Sequence, residues 1–378
     1  MNRVRRAGLY TRSLVDGDAV GNDMMGMARV LEGYGWDVRV FAETSHCRGT
    51  RAYGAKDALA FLDDNRDLFV YHHSIGCSEG INLLQHLHCH RVMKYHNVTP
   101  AAFFSYIGSS YGRDCRLGRE QLEELGRMRL DLYLADSSFD SAELSAVLPE
   151  GRQCFIVPPF HHVERLLSVS ADTRVFSRIP DDSPMILSVG RIAPNKNHGA
   201  LIDSVGFLNG PCGVPVRLAV VGSINPAFER YVAGLRARIQ RVGLSGRVEF
   251  LGKISDAQLK ACYQRAQVLV TTSLHEGFCV PVVEAMAIGV PVIAYAAGAV
   301  AETVGDAGLV WEIPDPELFG ASIRRVLDDA RLRTTLVARG TARFRNNYAA
   351  EVITGKFFGA LQSVGIGMSD GRDESRRL

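Results

Sequence analysis

The 378-residue sequence contains no run of about 18 apolar residues, so no membrane-spanning helix is expected. Charge of one sign is also missing. Its 43 Lys and Arg against 41 Asp and Glu leave a formal net charge of +2, so composition gives no argument for nucleic acid. No CxxC pair occurs among Cys47, Cys77, Cys89, Cys115, Cys154, Cys212, Cys262 and Cys279. In a chain this long, that argues against a disulfide framework and for reduced thiols in a cytoplasm. The opening stretch MNRVRRAGLYTR is basic but lacks the apolar core of a signal peptide, and residues 7–10 read as a first buried strand. The stretch QHLHCH holds His86, His88, Cys89 and His90, and His86 and His90 would share a face if it were helical. No further Cys, His or acid stands at ligand spacing, so a polar helix end is the expectation, with no metal site.

What is present is an ordinary globular composition, 47% hydrophobic and 22% charged, in a chain long enough for two domains. Short apolar runs alternate with longer amphipathic stretches. VRVFA, DLFVYHH, RVMKYH, DLYLAD and QCFIVP read as strands, with GNDMMGMARVLEGYG, REQLEELGRMR and SSFDSAELSAVL as helices. Continuous apolar strands suit a parallel sheet buried on both faces, and the alternation predicts a doubly wound α/β domain. A Pro pair and a polar stretch at 158–184 mark a linker or domain edge. The pattern then restarts, with strands MILSVG, RLAVVG, RVEFLG, QVLVTTS and VPVIAY. The expected division is an N-terminal Rossmann-like domain over 1–165 and a second over 166–345. A helix over 346–365 would pack back on the first domain, and 366–378 would be a disordered tail.

Two stretches of the second half carry chemistry. In HEGFCVPVVEAMA, a loop after strand QVLVTTS holds His275, Glu276, Gly277, Phe278 and Cys279, and Pro281 suits the first turn of a helix. Amides of Cys279 and Val280 at that helix start would make an anion site, and Gly277 would let backbone approach a ligand closely. Glu276 and Glu284 flank this site. Carboxylates repel phosphate but accept from hydroxyls, so a sugar–diphosphate–ribose ligand answers both demands. In SVGRIAPNKNHGALI, Arg191 and Lys196 follow a strand and precede a helix, and both suit phosphate. The alternatives are a surface helix residue for Glu284, a helix-start acid for Glu276, and two solvated loop residues for Arg191 and Lys196.

Together, GRIAPNKN at 190–197, HEGFCVPVVEAMA at 275–287 and GVPVIA at 289–294 resemble the family-4 retaining glycosyltransferases of the GT-B fold, over nearly the whole chain. The resemblance implies two Rossmann-like domains facing a cleft and a nucleotide-sugar donor. Arg191 and Lys196 would hold the donor diphosphate, Glu284 the ribose and Glu276 the hydroxyls of the transferred sugar. The loop LGKISD, with Ile254, would line the base pocket through backbone. Gly21, opening the first helix, would face phosphate; this loop lacks the paired glycines common in the family. Asp18, Asn22 and Asp23 would meet acceptor hydroxyls or cap the helix. KYHNVTPAAFF is similar to the H-N-[IV]-T-P segment of bacterial polysaccharide transferases, so His96 would contact the donor sugar. His72, His73 and Ser74 of VYHHSIG would lie on the acceptor side.

The implied reaction is retaining transfer of a hexose, mannose favoured, to a hydroxyl of a glycan or lipid-linked glycan in polysaccharide synthesis. Catalysis would use Glu276 and His96 for positioning and polarisation, with the leaving phosphate helping to take the acceptor proton. No DxD stands at a fitting place, so no metal or other cofactor is expected beyond the donor, a GDP-hexose in preference to a UDP-hexose. The other readings are a UDP-sugar transferase of another pathway, a nucleotide-sugar epimerase, or a non-catalytic sugar-nucleotide binder. Arg3, Arg5, Arg6, Arg113, Arg116 and Arg119 would form either a basic face toward anionic lipid at the inner membrane surface or solvated surface.

Overall fold

The computed structural model describes residues 4–47, 49–105 and 110–367. Arg3 of the basic face and the charged tail from Met368 onward lie outside them. Contacts divide the chain into two units. Unit 1 comprises Met1–Pro100, Arg113–His161 and Ala350–Leu378, and unit 2 comprises Ala101–Gly112 and His162–Ala349.

Unit 1 holds a six-stranded sheet of β1 (Arg6–Val15), β2 (Asp37–His46), β3 (Leu68–His73), β4 (His90–Tyr95), β5 (Leu132–Ala135) and β6 (Cys154–Ile156). The strand order is β2-β1-β3-β4-β5-β6 and each pairing is parallel. All six residues of β3 and all four of β5 are buried, as a sheet covered on both faces demands. The first helix, Ala19–Gly33, buries Met24, Met27, Ala28 and Leu31, spaced to form one stripe. The helix Ala350–Ser363 adds Ile353, Phe357, Phe358 and Leu361 to the same core as Trp36 and Phe160.

Unit 2 holds β7 (Met185–Val189), β8 (Arg217–Val221), β9 (Val248–Gly252), β10 (Ala266–Thr271), β11 (Val292–Tyr295) and β12 (Gly308–Trp311), in the order β12-β11-β10-β7-β8-β9. These strands also pair in parallel. Alternate strand residues feed two cores. Met185, Leu187, Leu269 and Val292 face one, and Ile186, Val268, Val270 and Ile293 face the other. The order reverses between β7 and β10, and ligands of doubly wound sheets sit outside the carboxyl ends of strands at such a switch point. The equivalent reversal in unit 1 lies between β1 and β3.

The strand β12 and the helices Ala55–Phe61 and Ser78–His86 were not legible in the sequence. All are short, and neither N-cap residue, Gly54 or Cys77, caps its helix with its own side chain. The idea of a shared helix face for His86 and His90 is corrected here. The helix ends at His86, whose ring bonds to the Asn82 carbonyl, and His90 begins β4. Among the described residues no helix is long and apolar enough to cross a membrane.

Candidate functional site

The two loops that leave the switch point of unit 2 follow β7 and β10. After β7, Arg191 is exposed and residues Ile192 to Asn195 are buried. A 3-10 turn, Pro194–Lys196, ends at Asn197, whose φ of 49° lies in the left-handed region. The two loops are joined directly. The Leu274 amide donates to the Asn195 carbonyl at 2.7 Å, and the Thr272 hydroxyl to the Asn197 carbonyl at 3.0 Å. This fastening places Lys196 Nζ 2.5 Å from Glu276 Oε1, with side chains only 19% and 11% exposed. The sequence assigned these two groups to different parts of one ligand, and the structure brings them into one ion pair.

Cys279 caps the helix Val280–Ile288 with φ 76°, a conformation that costs a non-glycine residue about 1 kcal/mol or more. No side chain caps this helix start, and its first turn carries no acid. The turn before it is held from behind. The Ala299 amide donates to the Glu276 carbonyl at 3.0 Å, and the Thr303 hydroxyl to the Phe278 carbonyl at 2.6 Å. Gly298, at φ 57°, lies so close that a Cβ there would stand 2.2 Å from the Glu276 oxygen. Gly277 is half-buried in this turn. The side chains of Phe278 and Cys279 are buried, at 7% and 8% exposed. Both join the core, where Phe278 meets Tyr348 edge-on at 5.5 Å. Burial, then Glu276, pushes the Cys279 thiol up to about 12, so it is no nucleophile. With both side chains in the core, what these two residues can offer a ligand is their backbone, as expected for the Cys279 amide.

Glu284 sits on the second turn of that helix and is 4% exposed. The Tyr263 hydroxyl donates to its Oε2 at 2.6 Å, and His162 Nε2 lies 3.8 Å from Oε1. Burial raises its pKa, against the pull of His162 and Tyr263. A buried carboxylate with one hydroxyl donor retains capacity for further hydroxyls. Ile254 lies in the loop after β9 and turns its half-buried side chain to the core, which leaves backbone as its offering to a ligand.

In unit 1 the sequence residues meet in a buried charge cluster. His96 Nδ1 lies 2.8 Å from Asp136 Oδ2, and His96 Nε2 lies 2.9 Å from His72 Nδ1, with the two rings stacked. Asp23 Oδ2 stands 3.4 Å from both histidines. Lys94, fully buried, donates to Asp23 Oδ1 at 3.2 Å and to the Val157 carbonyl at 3.0 Å, and lies 3.3 Å from Asp136 Oδ1. Burial disfavours the Asp23 carboxylate, but Lys94 and then the imidazoles outweigh it and hold the group below the ordinary range. Burial pushes His72 down to about 4. Asp23, His72 and His96 offer ligand atoms within 4.8 Å of one another, as a metal site would. The Lys94 ammonium already supplies a positive charge there, and a divalent ion would have to bear its repulsion.

Several readings of unit 1 change on this geometry. The ring of His96 is 3% exposed and both its nitrogens are engaged, so it holds the cluster together instead of presenting a free nitrogen to sugar. His73 is locked in the core: its nitrogens meet the Tyr71 hydroxyl at 3.0 Å and the Gly118 carbonyl at 2.8 Å, and burial lowers its pKa to about 4. Both ring nitrogens are thus engaged inside the core, away from the acceptor-side place expected of this residue. The Gly21 amide assigned to phosphate donates to Asp18 Oδ1 at 2.6 Å, so Asp18 is the helix cap. Asn22 is half-buried in the first turn of the same helix. Lys94, Asp136, Asp140 and Glu143 were missed. The available signal was a lysine inside an apolar strand, an acid just past the end of another, Asp136, and two acids on the helix Ser138–Ser145 that follows. Asn97, at φ 61°, donates to Asp140 Oδ1 at 2.8 Å and to Glu143 Oε2 at 3.0 Å, which is what its amide does in the HNVTP segment. Three arginines of the expected basic face are paired: Arg119 bonds Glu143 and the Val98 carbonyl, Arg6 bonds Asp63, and Arg5 bonds the Gly367 carbonyl.

Residues 169–343 match the family model described as glycosyl transferases group 1. An O-antigen chain mannosyltransferase B of Escherichia coli is 33% identical over 156 residues, 41% of this chain and 40% of that one. The chain spans about half the length of the curated relatives it matches. Among solved structures, sucrose-phosphate synthase from Thermosynechococcus elongatus superposes with a TM-score of 0.73 at 19% identity, over 95% of this chain and 99% of that one. The Anabaena protein HepE, in complex with UDP and glucose, superposes with a TM-score of 0.75 at 16% identity, over 95% and 100%. The two parallel six-stranded sheets are those of the GT-B fold.

Proposed function

We propose, from the match of residues 169–343 to the glycosyl transferases group 1 family model, that the protein is a retaining hexosyltransferase. It takes a hexose, mannose in preference, from a nucleoside diphosphate sugar and delivers it to a hydroxyl of a glycan or lipid-linked glycan in polysaccharide synthesis. The observation that carries this reading is the Lys196–Glu276 pair at the switch point of unit 2, beside a helix start with no side-chain cap. A cation and an uncapped helix start answer a diphosphate, and a carboxylate answers sugar hydroxyls.

Binding would exchange partners within this pair. Lys196 would turn from Glu276 to phosphate oxygen, and Glu276 would accept from the sugar. Arg191, Lys196 and the helix amides would then stabilise charge that develops on the departing diphosphate. Glu284, buried against Tyr263, would accept from the ribose. Mannose is favoured because a relative bears the name O-antigen chain mannosyltransferase. The UDP held by HepE keeps a UDP-hexose as the second donor class.

Calorimetric titration with GDP, UDP, GDP-mannose and UDP-glucose tests this. One nucleotide class is expected to bind the wild-type protein, with at least a hundredfold loss in an Arg191→Ala, Lys196→Ala variant, about 1.4 kcal/mol for each charged contact. Donor turnover that needs no acceptor would favour an epimerase instead. Binding without any turnover across an acceptor panel would favour a non-catalytic binder. No binding by folded protein would overturn the donor site.

A further inference from the structure

The segment Ala101–Gly112 lies in sequence between two stretches of unit 1 but groups with unit 2. Its rings reach both loops of the candidate site. The Phe103 ring lies 6.2 Å from that of His275, the neighbour of Glu276. Phe104 stacks on Phe228 at 5.7 Å and an interplanar angle of 10°. Tyr111 meets Phe104 edge-on at 4.8 Å and Phe228 edge-on at 5.9 Å. Phe228 is 2% exposed, so these contacts hold Tyr111 against a buried ring.

The outer side of Tyr111 carries Arg191. Arg191 Nη1 donates to the Tyr111 hydroxyl at 3.2 Å, and Arg191 Cζ lies 5.9 Å from the ring centroid. Arg191 is exposed. An exposed arginine has about 2 kcal/mol of side-chain entropy to lose on ordering, and much of that cost is removed when a ring face and a hydroxyl fix its fork beforehand. Packing alone accounts for the stacked rings. It does not account for a hydroxyl directed at the guanidinium.

We propose that Tyr111 is a positioning residue for the donor site: it orients the Arg191 guanidinium toward the diphosphate. This rests on the phosphate role of Arg191 proposed above. Tyr111 touches neither phosphate nor sugar in this scheme and acts through Arg191.

The test is a double-mutant cycle. Dissociation constants are measured for whichever of GDP or UDP the wild-type protein binds, in Tyr111→Phe, Tyr111→Ala, Arg191→Ala and the Tyr111→Ala, Arg191→Ala pair, with a melting temperature for each. Tyr111→Ala is expected to weaken nucleoside diphosphate binding about tenfold, the size of one lost hydrogen bond to a charged group. Tyr111→Phe keeps the ring packing, so it is expected to keep the wild-type melting temperature and still weaken binding severalfold. In the Arg191→Ala background Tyr111→Ala is expected to have no further effect. Equal losses in both backgrounds, or full affinity in Tyr111→Phe, would reduce Tyr111 to packing and overturn the proposal. Failure of the underlying reading looks different: Arg191→Ala alone would leave affinity unchanged, or the wild-type protein would bind neither nucleotide, and the role of Tyr111 would fall with it.

Discussion

At Glu284 the needs of binding and of stability oppose each other. The carboxylate is 4% exposed, and burial raises its folded-state pKa above the ordinary value of 4.5. The folded state therefore holds a proton that the unfolded state has released. Stability falls as pH climbs from about 4.5 to the raised value, and above it the full penalty of a buried charge remains. Glutamine has the same shape and no such charge, and its carbonyl still accepts from Tyr263. Glu284→Gln is therefore expected to raise the melting temperature of the unliganded protein at pH 8. The gain should shrink toward zero near pH 4.5. The same change should weaken nucleotide binding roughly tenfold or more, since a neutral amide accepts less strongly from a ribose hydroxyl than a carboxylate does. Melting curves across pH, beside calorimetry at pH 8, check both halves. A variant that melts lower than wild type at pH 8 would mean that Tyr263 and His162 more than compensate the buried charge.

At the scale of elements, the site is set by loops whose shape depends on close backbone approach. Gly298 is the clearest case, with φ 57° and the Glu276 carbonyl 2.2 Å from where its Cβ would stand. Gly298→Ala must displace either the segment after β11 or the turn that carries Glu276. A melting temperature lowered by several degrees is expected, with nucleotide affinity reduced by more than tenfold; unchanged affinity would show that the turn tolerates the shift. None of this could be read from the sequence, where Gly298 was one glycine among 37. Motif spacing singled out Arg191, Lys196, Glu276 and Glu284 as candidates, because strand, loop and helix start follow one another directly in the chain. It did not show that Lys196 and Glu276 pair, since 80 residues separate them and strand order decides the meeting. Periodicity marked most strands of both sheets, because strands buried on both faces read as continuous apolar runs. It failed for β12, whose four residues GLVW are all only half-buried. It also failed for the cluster of unit 1. Asp23, Lys94 and Asp136 sit on three separate elements, and only the parallel packing of the strands and first helix puts them within ion-pair distance.

At the scale of the whole molecule, each unit has its own core, but unit 1 is assembled from sequence-distant pieces. The helix Ala350–Ser363 supplies Ile353, Phe357, Phe358 and Leu361, none more than 4% exposed, to the core that holds Met24, Trp36 and Phe160. Each such side chain contributes about 1.5–3 kcal/mol on burial, so four contribute roughly 6–12 kcal/mol. That is about the entire net stability of an ordinary domain, at 5–15 kcal/mol. Removal of everything after Ala349 should therefore cost unit 1 its cooperative fold. Among the described residues, these two cores of unit 2 contain none beyond Tyr348. The truncated chain is expected to show one melting transition where unit 1 and unit 2 otherwise both contribute. Added nucleoside diphosphate should raise that remaining transition, because a ligand that binds only the folded form stabilises it by mass action. Calorimetric scans with and without nucleotide, backed by hydrogen exchange across β1 to β6, decide the matter. Protection retained in β1 and β3 after truncation would mean that the first 161 residues close a core by themselves, and that the last helix only covers it.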